Sequence, residues 1–159
     1  NGYQCSAFSS AYILRHWDIE KHGDNLYEVI SNKMKDGCVY PRGILNLLSQ
    51  YGFKVKYCAG NIAALKNEVS KGNPVIVMIR IQTDKNYLHY VPVVGYDEQY
   101  IFIAESLADF VNSNEQYYNR KISVKEFKKL WNTSMLKMPF YRNTYITTSK
   151  NSRLSGWCL

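Results

Sequence analysis

Apolar positions recur every three or four residues through the first part of the chain, which is the period of an amphipathic helix. Residues 5–16 carry the first such stripe. Two further helices are predicted from residues suited to their first turns, a cap at Asp24 or Asn25 and a proline at Pro41. A short fourth helix is predicted at about residues 62–71. The stripe of the second helix is expected to consist of Leu26, Val29, Ile30 and Met34.

Strand patterns dominate the second part of the chain. Residues 53–57 alternate between apolar and lysine positions, which predicts a half-exposed strand. The valine- and isoleucine-rich run 74–81 predicts a buried strand. Residues 88–96 and 100–104 flank a short polar turn and predict a hairpin, and a last strand is predicted at 140–148.

A helix is predicted between the hairpin and the last strand, because Ser123 and Glu126 have the Ser-x-x-Glu spacing of a capping box. The order of elements predicts an α+β fold. In this fold a helical half of about residues 1–72 packs on an antiparallel sheet of about residues 73–148. The length suits one core, so we expect a single domain over residues 1–159.

Composition limits the class of protein. Hydrophobic residues make up 46% of the chain and charged residues 21%, which is typical of a globular protein. No apolar run approaches the ~20 residues that cross a bilayer. The formal charge of +7 could favour nucleic acid, but the basic residues are scattered without a dense run. We therefore expect no nucleic-acid partner and no membrane span in these residues.

The four cysteines have no Cys-x-x-Cys spacing, which argues against a zinc site, and we expect neither a metal nor another cofactor. They are Cys5, Cys38, Cys58 and Cys158. If Cys5 is a free nucleophile, three cysteines remain. Either Cys38 and Cys58 form a disulfide, or all three remaining cysteines are buried thiols. The cysteines therefore leave the cellular compartment undecided.

The hairpin is expected to bring two titratable residues together. His89 opens its first strand and Glu105 follows its second, and antiparallel pairing through the turn at 97–99 places these ends side by side. The carboxylate could then accept a hydrogen bond from the imidazole and fix its tautomer. Asp109 and Asn112, in the following loop, are the alternatives if Glu105 points away.

Cys5 begins the first helix, where unpaired backbone N–H groups and the helix dipole stabilise a thiolate. The same N–H groups can hold an oxyanion, and Gln4 is a possible further donor. The alternative is a small buried apolar residue, as most cysteines are. His16 is a poor partner for Cys5, because it lies roughly three turns along the same helix. His22 lies in a polar connector.

Five segments of the chain match the motifs of one family. They are residues 4–7, 71–77, 88–96, 101–106 and 126–132. Together they resemble papain-like cysteine peptidases, and more narrowly the bacteriocin-leader or double-glycine peptidases and their stand-alone relatives. The most specific segment is the strand that begins Leu-His-Tyr-Val. The resemblance extends from residue 5 to about residue 132.

Three features depart from the family pattern. Ser6 follows the cysteine where the family usually has glycine, and Glu105 followed by Ser106 stands where the family has Asp-Pro. The family's oxyanion glutamine lies several residues upstream of the cysteine, a position that falls before Asn1. Gln4 is adjacent to the cysteine and is not its obvious equivalent. The sequence starts at Asn1 without a methionine and directly on an apparent functional segment, so we expect that a segment upstream has been removed.

The resemblance implies a papain-like fold and thiol-dependent hydrolysis of peptide bonds. Cys5 would attack the carbonyl, His89 would take and return the proton, and Glu105 would orient His89. The Cys5 backbone N–H, with Gln4, would stabilise the oxyanion. The substrate would be a peptide or protein cleaved after small residues.

The resemblance also bears on partners and leaves two other functions open. A transporter or anchor would be a separate partner. The family favours a bacterial protein that is exported or attached to the cell envelope over a cytoplasmic one, without deciding the compartment. A non-catalytic peptide-binding domain on the same fold and an acyltransferase of the transglutaminase type are the alternative functions.

Overall fold

An antiparallel sheet forms the centre of the molecule. The structure is a computed structural model that describes residues 3–84, 87–133 and 141–151. Within these ranges the strands are β1 (Phe53–Ala59), β2 (Val75–Arg80), β3 (Leu88–Tyr96), β4 (Tyr100–Ile103), β5 (Arg120–Ser123) and β6 (Thr144–Lys150). They join one sheet in the order β1-β6-β2-β3-β4-β5.

Among the residues described, three helices precede β1, and two more lie between strands. They are α1 (Cys5–His16), α2 (Gly23–Val29), α3 (Pro41–Gln50), α4 (Ile62–Ser70) and α5 (Val124–Trp131), and a short 3-10 turn, Ala108–Phe110, follows β4. Gly52 and Gly72, at φ +86° and +85°, follow α3 and α4 in the left-handed conformation that commonly ends a helix. The Ser123 hydroxyl accepts the Glu126 N–H at the start of α5, as the capping box predicts.

The two faces of the sheet have separate cores, because successive side chains of a strand point to opposite faces. On one face, α1, α2 and α3 pack against Ile76 and Met78 of β2. On the other, α4 and α5 pack against Val75, Val77 and Ile79 of the same strand. The mixed helix-and-antiparallel-sheet class is therefore confirmed.

The boundary at residue 72 does not coincide with the division in space. β1 precedes it but pairs with β6 along its whole length, because its alternating residues suit an edge strand. α4 also precedes it and covers the face opposite to α1, α2 and α3. The helical half and the β half are therefore interleaved along the sequence.

The prediction of the second helix was wrong in detail. α2 begins at Gly23 with His22 as its N-cap, and Val29 is 68% exposed. Met34 lies beyond the helix, between Lys33 and Val39, which form an isolated β-bridge. The chain turns back at this bridge, so the apolar stripe does not continue as a helix.

Other differences concern strands and cysteines. β5 was not predicted, because its four residues include only one large apolar side chain. Cys38 and Cys58 are both free thiols, so the disulfide between them does not form. Cys158 and Phe140 lie outside the described residues. Among the described residues, every helix is too short or too polar to cross a membrane.

Candidate active site

β4 ends at Ile103, beside the middle of β3, and its end leaves a gap next to the first half of β3. Their pairing reaches Val93 and Ile103, and the Ala104 N–H still donates to the Pro92 carbonyl at 3.0 Å. Beyond that point the chain turns away at Glu105. The first half of β3 therefore pairs with β2 on one side and has room for another element on the other.

The start of α1 occupies this gap. The backbone N–H of Tyr90 donates to the Cys5 sulfur at 3.4 Å, and the Ser9 hydroxyl donates to the Tyr90 carbonyl at 3.1 Å. Residues four apart lie on one face of a helix, so α1 presents both side chains to the same residue of β3. Two contacts that would otherwise go to a neighbouring strand thus hold Cys5, which is 6% exposed, beside His89.

His89 is fully buried, and its Nε2 lies 2.6 Å from Oε1 of Glu105. An ionised carboxylate only accepts hydrogen bonds, so Nε2 carries the hydrogen. Nδ1 is buried and has no hydrogen-bond partner among the described residues. This nitrogen is the one left to exchange a proton with Cys5.

The charge state of His89 reflects both neighbours. Burial lowers its pKa, but the interactions with the neighbouring Cys5 thiol and the Glu105 carboxylate outweigh burial and raise the pKa to about 9. The arrangement therefore favours an imidazolium at neutral pH, which is the partner that a thiolate requires.

Glu105 is buried and its carboxylate is fully engaged. Oε1 accepts the His89 bond and the Leu107 N–H at 2.9 Å, while Oε2 accepts from Nη1 of Arg120 at 2.7 Å. Burial raises the pKa of Glu105, but interactions with His89, the Leu107 N–H and Arg120 together lower it below its usual value. The carboxylate is therefore ionised beside the imidazole.

The two alternatives to Glu105 lie elsewhere. Asp109 is exposed on the 3-10 turn. Asn112 is also exposed, and its side chain bonds the backbone N–H and carbonyl of Lys121. The structure brings Glu105, and neither of these residues, to His89. His16 and His22 are exposed as well.

Gln4 is the half-buried N-cap residue of α1, and its carbonyl accepts the N–H groups of Ala7 and Phe8. Its side chain makes no cap hydrogen bond. The first N–H groups of a helix have no intrahelical partner, so those of Cys5 and Ser6 are oriented along the axis and away from the helix body. Ser6 is fully buried, and its hydroxyl has no hydrogen-bond partner within the described ranges.

An apolar cavity of about 200 Å³ adjoins Cys5. Its walls include Met34, Val39, Met78 and Leu88. Cys38 lies in the same wall, where burial and the Asp36 carboxylate raise the pKa of its thiol to about 11. The cavity can take an uncharged side chain next to the Cys5 sulfur.

Three residues that the sequence did not single out shape the site. Ser9 fixes α1 on β3, and Arg120 pairs with the Glu105 carboxylate. The Asn119 amide accepts the Glu105 N–H at 2.6 Å and donates to the Glu105 carbonyl at 2.9 Å. Asn119 and Arg120 escaped notice because β5 was not predicted. Among the described residues, no group of three His, Cys, Asp or Glu could hold a metal ion.

A family model described as Peptidase_C39 like matches residues 1–135. The chain belongs to the Peptidase_C39 like family. Its members include cysteine peptidases, and the chain is accordingly a thiol peptidase in general terms. The comparison with curated proteins returned no match to the sequence.

Solved structures agree with this family in fold. The peptidase domain of Streptococcus ComA, a bi-functional ABC transporter, matches with a TM-score of 0.72 at 16% identity, covering 95% of this chain and 94% of that one. A C39-like peptidase from Bacillus anthracis matches with a TM-score of 0.71 at 18% identity, covering 95% and 90%. These likenesses confirm the papain-like fold of the C39 family.

A third solved structure is a double glycine motif protease from an AMS/PCAT transporter in complex with the leader peptide. It matches with a TM-score of 0.69 at 18% identity, covering 95% of this chain and 87% of that one. The neighbours thus include peptidase domains of transporters as well as a separate C39-like peptidase.

Proposed function

We propose that this C39-like peptidase hydrolyses peptide bonds with Cys5 as nucleophile, His89 as general base and acid, and Glu105 as the group that orients His89. The observation that carries the proposal is the buried row formed by the Cys5 sulfur, the His89 ring and the Glu105 carboxylate. Each member has a fixed partner, because Tyr90 N–H bonds the sulfur and Glu105 bonds Nε2.

The reaction follows from the protonation states. His89 Nδ1 takes the proton of Cys5, and the thiolate attacks the peptide carbonyl to form a tetrahedral intermediate. The imidazolium then gives its proton to the leaving amine, and water hydrolyses the resulting thioester with His89 as base. Glu105 keeps Nε2 protonated throughout and stabilises the imidazolium.

The oxyanion would bind at the start of α1. The Cys5 backbone N–H and the positive end of the helix dipole favour negative charge there. Gln4 immediately precedes Cys5, and we propose its side-chain amide as the second donor.

The substrate we propose is a peptide or protein cleaved after small residues. The apolar cavity beside Cys5 supports a peptide with uncharged side chains near the cleaved bond. One solved neighbour is a double glycine motif protease in complex with the leader peptide, which supports a leader-type substrate. Because other neighbours are domains of transporters, we also propose a separate transporter or membrane anchor as partner.

A thiol-directed acylating probe and a fluorogenic peptide with glycine before the cleaved bond test the proposal. Cys5→Ala should abolish both labelling and cleavage, with a loss of at least about 10³-fold in kcat, as for other enzymes that lose a nucleophile. Cys58→Ser is the matched control, because Cys58 is also a free thiol but lies on β1. It should keep full labelling and activity.

Three results would contradict the proposal. Unchanged labelling in Cys5→Ala would mean that another residue is the nucleophile. Peptide binding without cleavage by the wild-type protein, with Cys5 no more reactive than Cys38, would identify a binding domain. Transfer of the acyl group to an added amine in preference to water would point to an acyltransferase.

A further inference from the structure

Arg120 is a buried cation at the first position of β5. Its side chain is 9% exposed, Nη1 lies 2.7 Å from Oε2 of Glu105, and its guanidinium lies 4.9 Å from the ring centroid of Phe110. Burying a charged pair carries a large desolvation cost, so such a pair often adds little to stability. Its location behind the proposed catalytic row suggests that it serves the reaction.

The contacts of Glu105 divide between its two oxygens. Oε1 faces His89 and the Leu107 N–H, and Arg120 is the only partner of Oε2 among the described residues. Asn119, the neighbour of Arg120, holds the backbone N–H and carbonyl of Glu105. The start of β5 therefore fixes both the backbone and the carboxylate of Glu105.

Other titratable groups lie near the pair without bonding it. Tyr12 and Arg15 of α1 and Glu115 line an open cavity that Glu105 also borders. Asp84, Lys121 and Glu126 line another cavity, which Arg120 borders. His89 and Arg120 are the charged side chains that contact the Glu105 carboxylate in the described part of the chain.

We propose that Arg120 is a positioning residue that acts through Glu105, keeping this carboxylate ionised and aimed at Nε2 of His89. Arg120 touches neither Cys5 nor the cavity beside it, so it acts on the proton transfer and not on substrate binding. This inference rests on the roles proposed for Cys5, His89 and Glu105. It adds a fourth member to their row.

The effect of removing Arg120 has a definite direction. Without the cation, a buried carboxylate is protonated more easily as the pH falls. The acid limb of the kcat profile should therefore move to higher pH in Arg120→Gln. At neutral pH kcat should fall about 10- to 100-fold, the range seen when outer partners of functional groups are lost, while KM stays within twofold.

Arg120→Lys and Lys121→Gln complete the series. Lysine keeps the charge but lacks the planar fork, so it should restore the wild-type acid limb and part of kcat. Lys121 is the adjacent, exposed cation, and its replacement should change neither quantity. Arg120→Lys also tests the proposal if Arg120→Gln does not fold.

A double variant separates positioning from general stability. If Arg120 acts only through Glu105, adding Arg120→Gln to Glu105→Gln should lower kcat no further, because both substitutions remove the same contribution to kcat. The role of Arg120 would be overturned if Arg120→Gln lowered kcat by the same factor in the wild-type and Glu105→Gln backgrounds. An unshifted acid limb in Arg120→Gln would overturn it as well. Activity that survives Cys5→Ala would instead overturn the proposed function itself, so the two failures are distinguishable.

Discussion

The two halves of β3 have the same kind of sequence but different surroundings. The second half, from Val93, pairs with β4, and its Val93 and Tyr96 belong to the core that α4 and α5 cover. The first half pairs with β2, and on its other side the start of α1 takes the place that β4 has in the second half. The candidate site therefore lies where β4 no longer pairs with β3, because the free backbone groups of β3 can hold the start of a helix there.

The largest expected contrast between the halves is in catalysis. His89→Ala in the first half should lower kcat by at least about 10³-fold, because no other histidine contacts Cys5. The free energy of unfolding, measured with urea, would identify a variant that has merely lost its fold. Near-normal turnover in His89→Ala would show that the open half of β3 holds no catalytic base.

A substitution beside the second half should have the opposite outcome. Ile101 of β4 pairs with Tyr96 and is fully buried. Ile101→Ala should lower the free energy of unfolding by about 2–5 kcal/mol, as the loss of a buried side chain leaves a cavity. In the folded fraction kcat should stay within a fewfold of wild type. A large loss of kcat without a matching loss of stability would contradict the proposed difference between the two halves of β3.

The pH dependence should also belong to the first half. The pKa of His89 is raised from 6.5 to about 9, so the folded protein binds this proton more tightly than the unfolded chain. This contribution to stability is complete below pH 6.5 and is lost as the pH rises through about 9. Urea unfolding between pH 6 and 10 should follow that window, and kcat should fall above pH 9 as the imidazolium is lost.

His16→Ala is the control for this window, because His16 is exposed and lies away from Cys5. It should leave the pH dependence intact, whereas His89→Ala should remove it. A two-dimensional NMR titration of the imidazole signals would measure the pKa directly. A His89 signal that titrates near 6.5 would contradict the coupling to Cys5 and Glu105.

The smallest effect is expected from the side-chain contact that holds α1 against β3. Ser9→Ala leaves the Tyr90 carbonyl without its partner and should cost about 1–3 kcal/mol of stability. It should also lower kcat severalfold, since α1 carries Cys5. Ser10→Ala is matched in chemistry, but the Ser10 hydroxyl bonds Ser6 within the same helix. Its effect on kcat should be absent, and equal effects of the two variants would contradict the role of Ser9.

Local patterns were enough to predict the elements that carry the main residues. The bounds of α1, the start of α3 and the strands of the hairpin follow from periodicity, proline and turn residues. The approach of His89 and Glu105 follows from antiparallel pairing alone, since they flank the same open end of the hairpin. Their chemical roles remain a proposal.

Contacts distant in sequence could not be predicted in this way. Cys5 and Tyr90 are 85 residues apart, and no local pattern states that α1 fills the gap beside β3. Arg120 could not be assigned because β5 has four residues and little periodicity. Strict alternation along β3 would place the side chains of Tyr96 and Val93 on opposite faces of the sheet. A register shift between Val93 and Gly95 turns Tyr96 towards the same core as Val93, the one that includes α4.

The second thiol in the wall beside Cys5 has a consequence for covalent inhibitors. With a pKa of about 11, Cys38 stays protonated at physiological pH and is a poor nucleophile. An electrophile that fills this cavity lies near two sulfur atoms, of which only Cys5 has an imidazole to deprotonate it. A mildly reactive electrophile on an apolar scaffold should therefore modify Cys5 alone. The Cys38 sulfur would then be a non-reacting contact for the inhibitor within the cavity.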